Sequence, residues 1–201
     1  QYIPADLGSK KGVEQLLAKL AEEQIDIVVN NTGGPPPGPI AEATLDQFQN
    51  ALEMHLYTSH EIMRVVLPHM RSKNFGRFIN VISTSVKIPI QGLGVSNTTR
   101  GAMASWAKTL SNEVAADGIT VNNILPGAIG TTRLDAIIQN VAKKNNISEE
   151  ASADQMRATI PAGRFGEPKE LGNLAAFLAS EKAAYITGVS IPVDGGRTGS
   201  L

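Results

Sequence analysis

The sequence predicts an α/β fold built on a doubly wound parallel sheet with helices on both faces. Short β-favouring runs alternate with helical stripes throughout the chain. No hairpin signal such as Asn-Gly joins two of those runs. The run at 78–82 ends in Ser83-Thr84-Ser85, which puts hydroxyls at the carboxyl end of a strand, where sheets of this kind bind their ligands.

The elements follow in order. Residues 2–7 are a short extended segment ending at Asp6 and Leu7, and Val13, Leu16, Leu17, Leu20 and Ala21 then form a helical stripe. The strand IDIVV begins at Ile25 and leads directly into Asn30-Asn31-Thr32-Gly33-Gly34. Glycine there lets backbone approach a ligand, and the asparagine amides can tie neighbouring strands together. The stiff segment 35–39 (PPPGP) reads as a rigid pocket wall or as a polyproline ligand. Thr44-x-x-Gln47 is a capping box that opens a long helix to about residue 70, with Phe48, Leu52 and Leu56 inward and Pro68 marking a kink or stop.

After the strand at 78–82, a loop with Pro89, Gly92 and Gly94 gives way to a helix. Its apolar side is Met103, Trp106, Ala107, Leu110 and Val114. Ser96 and Arg100 lie one turn apart near its start and face the same pocket as Ser83. A strand at 119–125 precedes Pro126-Gly127. Residues 132–161 are helical and polar, broken by the run KKNN at 143–146, as suits a lid over substrate or a solvated excursion. A helix with Leu171, Leu174, Ala175 and Leu178 on one side, a strand at 185–193 and the turn Asp194-Gly195-Gly196 close the chain.

Composition narrows the function. The 201 residues are 42% hydrophobic and 18% charged, which suits one well-buried domain. Eighteen basic and nineteen acidic residues leave a net charge of −1, with no footprint for nucleic acid or an anionic membrane. Cysteine is absent, His55, His60 and His69 have no metal-ligand spacing, and no apolar run is long enough to span a bilayer. With no leader pattern at the first residues, a cytoplasmic location is the expectation.

From Asp6 to Gly196 the motifs resemble those of the short-chain dehydrogenase/reductase family: Asn30-Asn31-Thr32-Gly33, Ser83, the start of the helix at Ser96 and Arg100, Pro126-Gly127 with Ile129 and Thr131, and the carboxyl-terminal turn. The resemblance implies a single Rossmann-like domain over 1–201 and hydride transfer between NAD or NADP and a carbonyl or alcohol, in the manner of a 3-oxoacyl reductase. It places Asp6, Leu7, Asn30, Thr32, Gly33, Pro126, Gly127, Ile129 and Thr131 on the cofactor, with Asp6 at the adenine; a plain turn or cap is the alternative for Asp6. It also implies a homodimer or homotetramer.

The family's Tyr-x-x-x-Lys pair is replaced, because Ser96 stands at the Tyr position and Arg100 at the Lys position. His55 stands where the family has an Asn. Ser83, Ser96, Arg100 and His55 are thus the candidate catalytic set, with Lys87 a further proton source. A serine hydroxyl is a far weaker acid than a phenol, and a guanidinium binds oxyanions without relaying protons. Two functions follow: an oxidoreductase with an altered site, or a cofactor-binding scaffold without turnover. A structural protein using the proline loop is a third. Nothing at the start corresponds to a Gly-rich phosphate turn, so the fold is expected to lack two βα units, about 60 residues at about 30 per unit. Residues 2–6 would then be strand 3 of a 3-2-1-4-5-6 order.

Overall fold

The computed structural model describes residues 2–200. Four parallel strands form one sheet in chain order: β1 (Ile27–Asn30), β2 (Gly76–Val81), β3 (Ile119–Pro126) and β4 (Ser190–Val193). Between β1 and β2 run α2 (Leu45–Leu52) and α3 (Thr58–Lys73), and α4 (Gly94–Val114) joins β2 to β3. After β3 come α5 (Thr132–Asn145), α6 (Glu149–Ala158) and α7 (Pro168–Ala179); α1 (Lys10–Leu20) precedes β1.

Strand alternation sends side chains to two cores. On one face Phe78, Ile119 and Val121 pack with Ile62, Val66 and Met70 of α3 and Leu110 and Val114 of α4. On the other, Ile79 and Ile124 pack with Leu178 of α7. β2 and β3 are buried nearly end to end, as central strands covered on both faces must be. The buried cation in this sheet, Arg77, is satisfied by the carbonyls of Gly76 and Gly118 at 2.8 and 3.1 Å and stacks 4.2 Å over Phe75.

Several expectations need correction. Residues 2–7 pair with no strand. Asp6 instead makes a turn, its Oδ1 accepting from the Gly8 N–H at 2.9 Å and its carbonyl from Ser9, the cap of α1. β1 is therefore an edge, with Ile27 and Val29 43% and 52% exposed. The helix to residue 70 is interrupted by a five-residue π turn at Glu53–Tyr57 and continues through Pro68 to Lys73, where Asn74 takes the left-handed conformation. Pro68 lies on the exposed side of this helix and does not end it. β4 begins at Ser190 rather than at 185, because a 3-10 turn at Glu181–Ala183 and positive φ at Gly188 occupy the preceding residues. The Thr44–Gln47 capping box and the break between α5 and α6, at left-handed Asn146, occur as expected.

A polar ladder crosses the buried sheet. Asn30 donates to Asn80 at 2.8 Å, Asn80 to Asn123 at 2.9 Å, and Asn123 to the Ser190 hydroxyl at 3.0 Å. These four residues are direct register partners on β1 to β4. Replacing the fully buried Asn80 by Leu strands a donor on Asn30 and an acceptor on Asn123. We expect Asn80→Leu to lower stability by about 2–6 kcal/mol, at roughly 1–3 kcal/mol for each of the two orphaned groups, as a shift in urea midpoint; a loss below about 1 kcal/mol would show the ladder to be dispensable.

Candidate active site

The carboxyl ends of β1 and β2 bring the altered residues together. Ser83 caps a 3-10 turn at Thr84–Val86, its hydroxyl accepting from the Ser85 N–H at 3.0 Å. Ser96 and Arg100, one turn apart on α4, are both buried, so the predicted shared face is present. Arg100 is 6% exposed and donates from Nη1 to the Val81 carbonyl at 3.3 Å, which anchors the guanidinium beside the end of β2. No carboxylate pairs with it among the described residues.

His55 enters from the π turn. Such turns insert an extra residue into a helix and re-aim its side chains, and they recur at functional sites. The Thr58 and Ser59 hydroxyls bond back to the carbonyls of Glu53 and His55 at 2.8 and 2.6 Å, holding the distortion. His55 Nδ1 is hydrogen-bonded to the Thr32 hydroxyl just beyond β1. Its Nε2 is buried and has no partner, and the residue is 3% exposed. Burial first, then the charges of Arg100 and Arg133, push its pKa down to about 4. The ring is therefore neutral at pH 7. Burial, and after it Arg133, lowers Arg100 to about 10, which leaves it charged at neutrality.

Arg133 is the residue that the sequence reading missed. It is exposed on the first turn of α5, and its guanidinium reaches over Gly34, where a Cβ would lie 2.8 Å from Nη2. Nothing in the local pattern separates this arginine from a surface one. Only the tertiary fold brings α5 across to the segment after β1.

The predicted cofactor residues fall into two groups. Leu7, Asn30 and Thr32 line a groove of about 330 Å³ along β1, together with Leu16, Leu20 and Val29. Asp6 is exposed in its turn and Gly33 faces open space. Pro126, Gly127, Ile129 and Thr131 form the second group beyond β3. Gly127 N–H donates to Val193 at 2.9 Å, and its missing Cβ makes room for Asp194; Ile129 bridges to Gly166, and the Thr131 hydroxyl donates to the Ile129 carbonyl at 3.3 Å. Asn30 and Thr32 at the end of β1 and the start of α5 beyond β3 lie at the carboxyl end of the sheet, where a nicotinamide cofactor would lie, whereas the apolar remainder of the groove runs along the β1 edge. His60, 3.3 Å from the Trp106 indole, and His69, 3.0 Å from Asp26, lie outside this cluster. No group of potential metal ligands occurs among the described residues.

Residues 1–198 match the family model described as enoyl-(acyl carrier protein) reductase. The chain is 32% identical over 178 residues to the NADPH-dependent reductase BacG of Bacillus subtilis, covering 89% of this chain and 69% of BacG. It is also 32% identical to the acetoacetyl-CoA reductase of Shinella zoogloeoides, covering 96% of this chain and 76% of that one. Among solved structures, the L-sorbose reductase of Gluconobacter frateurii, in complex with NADPH and L-sorbose, superposes with a TM-score of 0.91 at 30% identity. That match covers 99% of this chain and 77% of the reductase. The chain belongs to the short-chain dehydrogenase/reductase family, an oxidoreductase family using NAD or NADP. No helix among the described residues is long and apolar enough to cross a membrane.

The depressed His55 pKa has a consequence for stability. An unfolded histidine takes up its proton near pH 6.5, whereas folded His55 does so only near 4, so acid favours the unfolded chain between those values. His55→Asn removes this dependence. The wild type should lose stability relative to His55→Asn, by on the order of 2 kcal/mol, as pH falls from 6.5 to about 4.5, with a constant difference above pH 7. Denaturant midpoints across that range measure it; parallel curves would mean that His55 titrates normally.

Proposed function

We propose that the chain is a nicotinamide-dependent carbonyl reductase with an altered active site, related in reaction type to 3-oxoacyl reductases. The observation that carries this is the buried guanidinium of Arg100, anchored on the Val81 carbonyl two residues before Ser83 and without a carboxylate partner among the described residues. A carbonyl gaining hydride develops negative charge on its oxygen, and fixed donors in a dry site stabilise that charge. The Ser83 hydroxyl and Arg100 supply two such donors. Arg100 does not release a proton, and Ser96 is a poor acid, so the alcohol proton comes from elsewhere. His55 Nε2, buried and unpartnered, suits a relay from solvent, while Lys87 is exposed on the turn after Ser83. Bound cofactor supplies the hydride; this chain's residues hold the carbonyl, exclude water and steer the proton.

The contrasting reading is a cofactor-binding scaffold without turnover, which the loss of the phenol at position 96 favours. We also propose one Rossmann-like domain whose sheet continues past β1, since exposed Ile27 and Val29 and the groove beside them suit further β-structure. A homodimer or homotetramer fits the exposed Phe177, Tyr185 and Val189 around α7 and β4. Location in the cytoplasm, without nucleic-acid or membrane partners, remains part of this proposal.

Arg100→Lys separates the readings, since it restores the family residue but loses the planar fork. In an altered-site reductase it lowers kcat/KM at least about tenfold, roughly the worth of one charge-assisted contact. In a decayed site it changes little, and Ser96→Tyr with Arg100→Lys creates ketone reduction. Nicotinamide absorbance over a panel of ketones and oxo acids reads the result, and light scattering checks the oligomer, which a monodisperse monomer would refute.

A further inference from the structure

We propose that Arg100 and Arg133 form a clamp for the carboxylate of a 2-oxo acid, the reducible carbonyl lying between Arg100 and Ser83. This rests on the reductase reading of the same site and names its substrate class.

Four observations support it. First, Arg64, Arg71, Arg157 and Arg164 each hold a carboxylate, whereas neither Arg100 nor Arg133 has an ion pair among the described residues. Second, the two guanidiniums come from α4 and α5 to neighbouring strand ends, Arg100 at the Val81 carbonyl of β2 and Arg133 over Gly34 just past β1, and in keeping with that placement the charge of Arg133 lowers the basicity of Arg100. Among the described residues no carboxylate offsets that repulsion, and a bound anion would. Third, His55 senses both cations, and its buried Nε2 is unpartnered in the same field. Fourth, Gly34 leaves the space that the Arg133 head occupies, since a Cβ there would lie 2.8 Å from Nη2 and 3.3 Å from Nη1.

The chemistry selects a 2-oxo acid over a simple ketone. Its carbonyl oxygen and one carboxylate oxygen lie along a single edge and match the two-pronged face of a guanidinium. Arg100 takes that edge and Arg133 the remaining carboxylate oxygen. Hydride from NADPH or NADH then bonds to C2, the C=O π pair moves to oxygen, and that oxygen takes a proton from solvent. The products are a 2-hydroxy acid and the oxidised cofactor.

A phosphate of the cofactor is the other anion that Arg133 could meet, so the test separates the two. With the full natural chain, NADPH or NADH oxidation is followed for 2-oxo acids and their methyl esters, cofactor affinity by fluorescence titration, and oxamate binding to the cofactor complex by calorimetry. Oxamate is a 2-oxo acid isostere that resists reduction. We expect acids to exceed their esters at least tenfold in kcat/KM, and Arg133→Met, at an exposed position, to erase most of that preference through KM. It should weaken oxamate at least tenfold and leave the cofactor dissociation constant within about twofold. A weakened cofactor with an unchanged acid-to-ester ratio assigns Arg133 to a phosphate and overturns the clamp. Tight, Arg133-dependent oxamate binding without turnover of any carbonyl would keep the clamp and sink the reductase reading. No oxamate binding and no preference for acids would sink the clamp alone.

Discussion

The sheet depends on a constraint that apolar packing alone does not supply: four polar side chains, one per strand, must meet in register inside it. Asn30, Asn80, Asn123 and Ser190 satisfy one another across β1 to β4. A slip of one residue would turn each side chain to the opposite face and leave buried amides unpaired, costing more than an apolar mismatch. β2 and β3 are buried along nearly their whole length, so a polar side chain in either must find its partner inside the sheet. The ladder therefore fixes the register, and it crosses β1 and β2 close to their carboxyl ends. Thr32, Ser83 and Gly127, two to four residues past the ladder on their strands, are thereby fixed against one another.

The π turn carries the same alignment into the helix layer. His55 must meet Thr32 from above the sheet while Val66 and Met70, further along the same helix, pack against it. A regular helix fixes the angle between such positions, and the inserted residue changes it. Hydroxyl bonds from Thr58 and Ser59 take up the displaced carbonyls, so the irregular backbone does not go unpaired. The proline loop is tied in by backbone too. Gly38 exchanges hydrogen bonds with Gly92 and Gly94, and Ile40 rests where a side chain on Gly94 would lie. The start of α4, with Ser96 and Arg100, is thus held from the β1 side as well as from β2.

The fold was legible because its signals are local. The two central strands, the Thr44–Gln47 box and the apolar stripe of α4 follow from spacing alone and occur in the structure, whereas the last strand starts at Ser190 and not at 185. The π turn was not legible, because its residues, Glu53 to Tyr57, have ordinary helical propensities and the distortion follows from tertiary demands. The segment at 2–7 read as a strand because its residues allow extension, yet a strand needs a partner beside it. Ser83, Ser96, Arg100 and His55 were candidates because their positions match a known pattern. Arg133 matches none, and its position over Gly34 depends on the path of the chain between β3 and α5. Charge that converges through the fold leaves little trace in sequence.

Polar satisfaction shows where the molecule is unfinished. The buried cation Arg77 has carbonyl partners, and Asn122, wholly buried on β3, bonds both Ile186 and Val189. Among the described residues, three buried side-chain atoms have no partner: His55 Nε2, Ser85 Oγ and Thr120 Oγ1. Thr120 lies at the far end of β3. The other two lie at the carboxyl ends of the strands, one on the π turn and one in the turn that Ser83 caps. Orphaned polar groups cost stability, and two of these three lie near the carboxyl ends of β1 and β2, where sheets of this kind bind their ligands. The charges of Arg100 and Arg133 bear on the first of the two, His55, which is the corner where we place an anionic substrate.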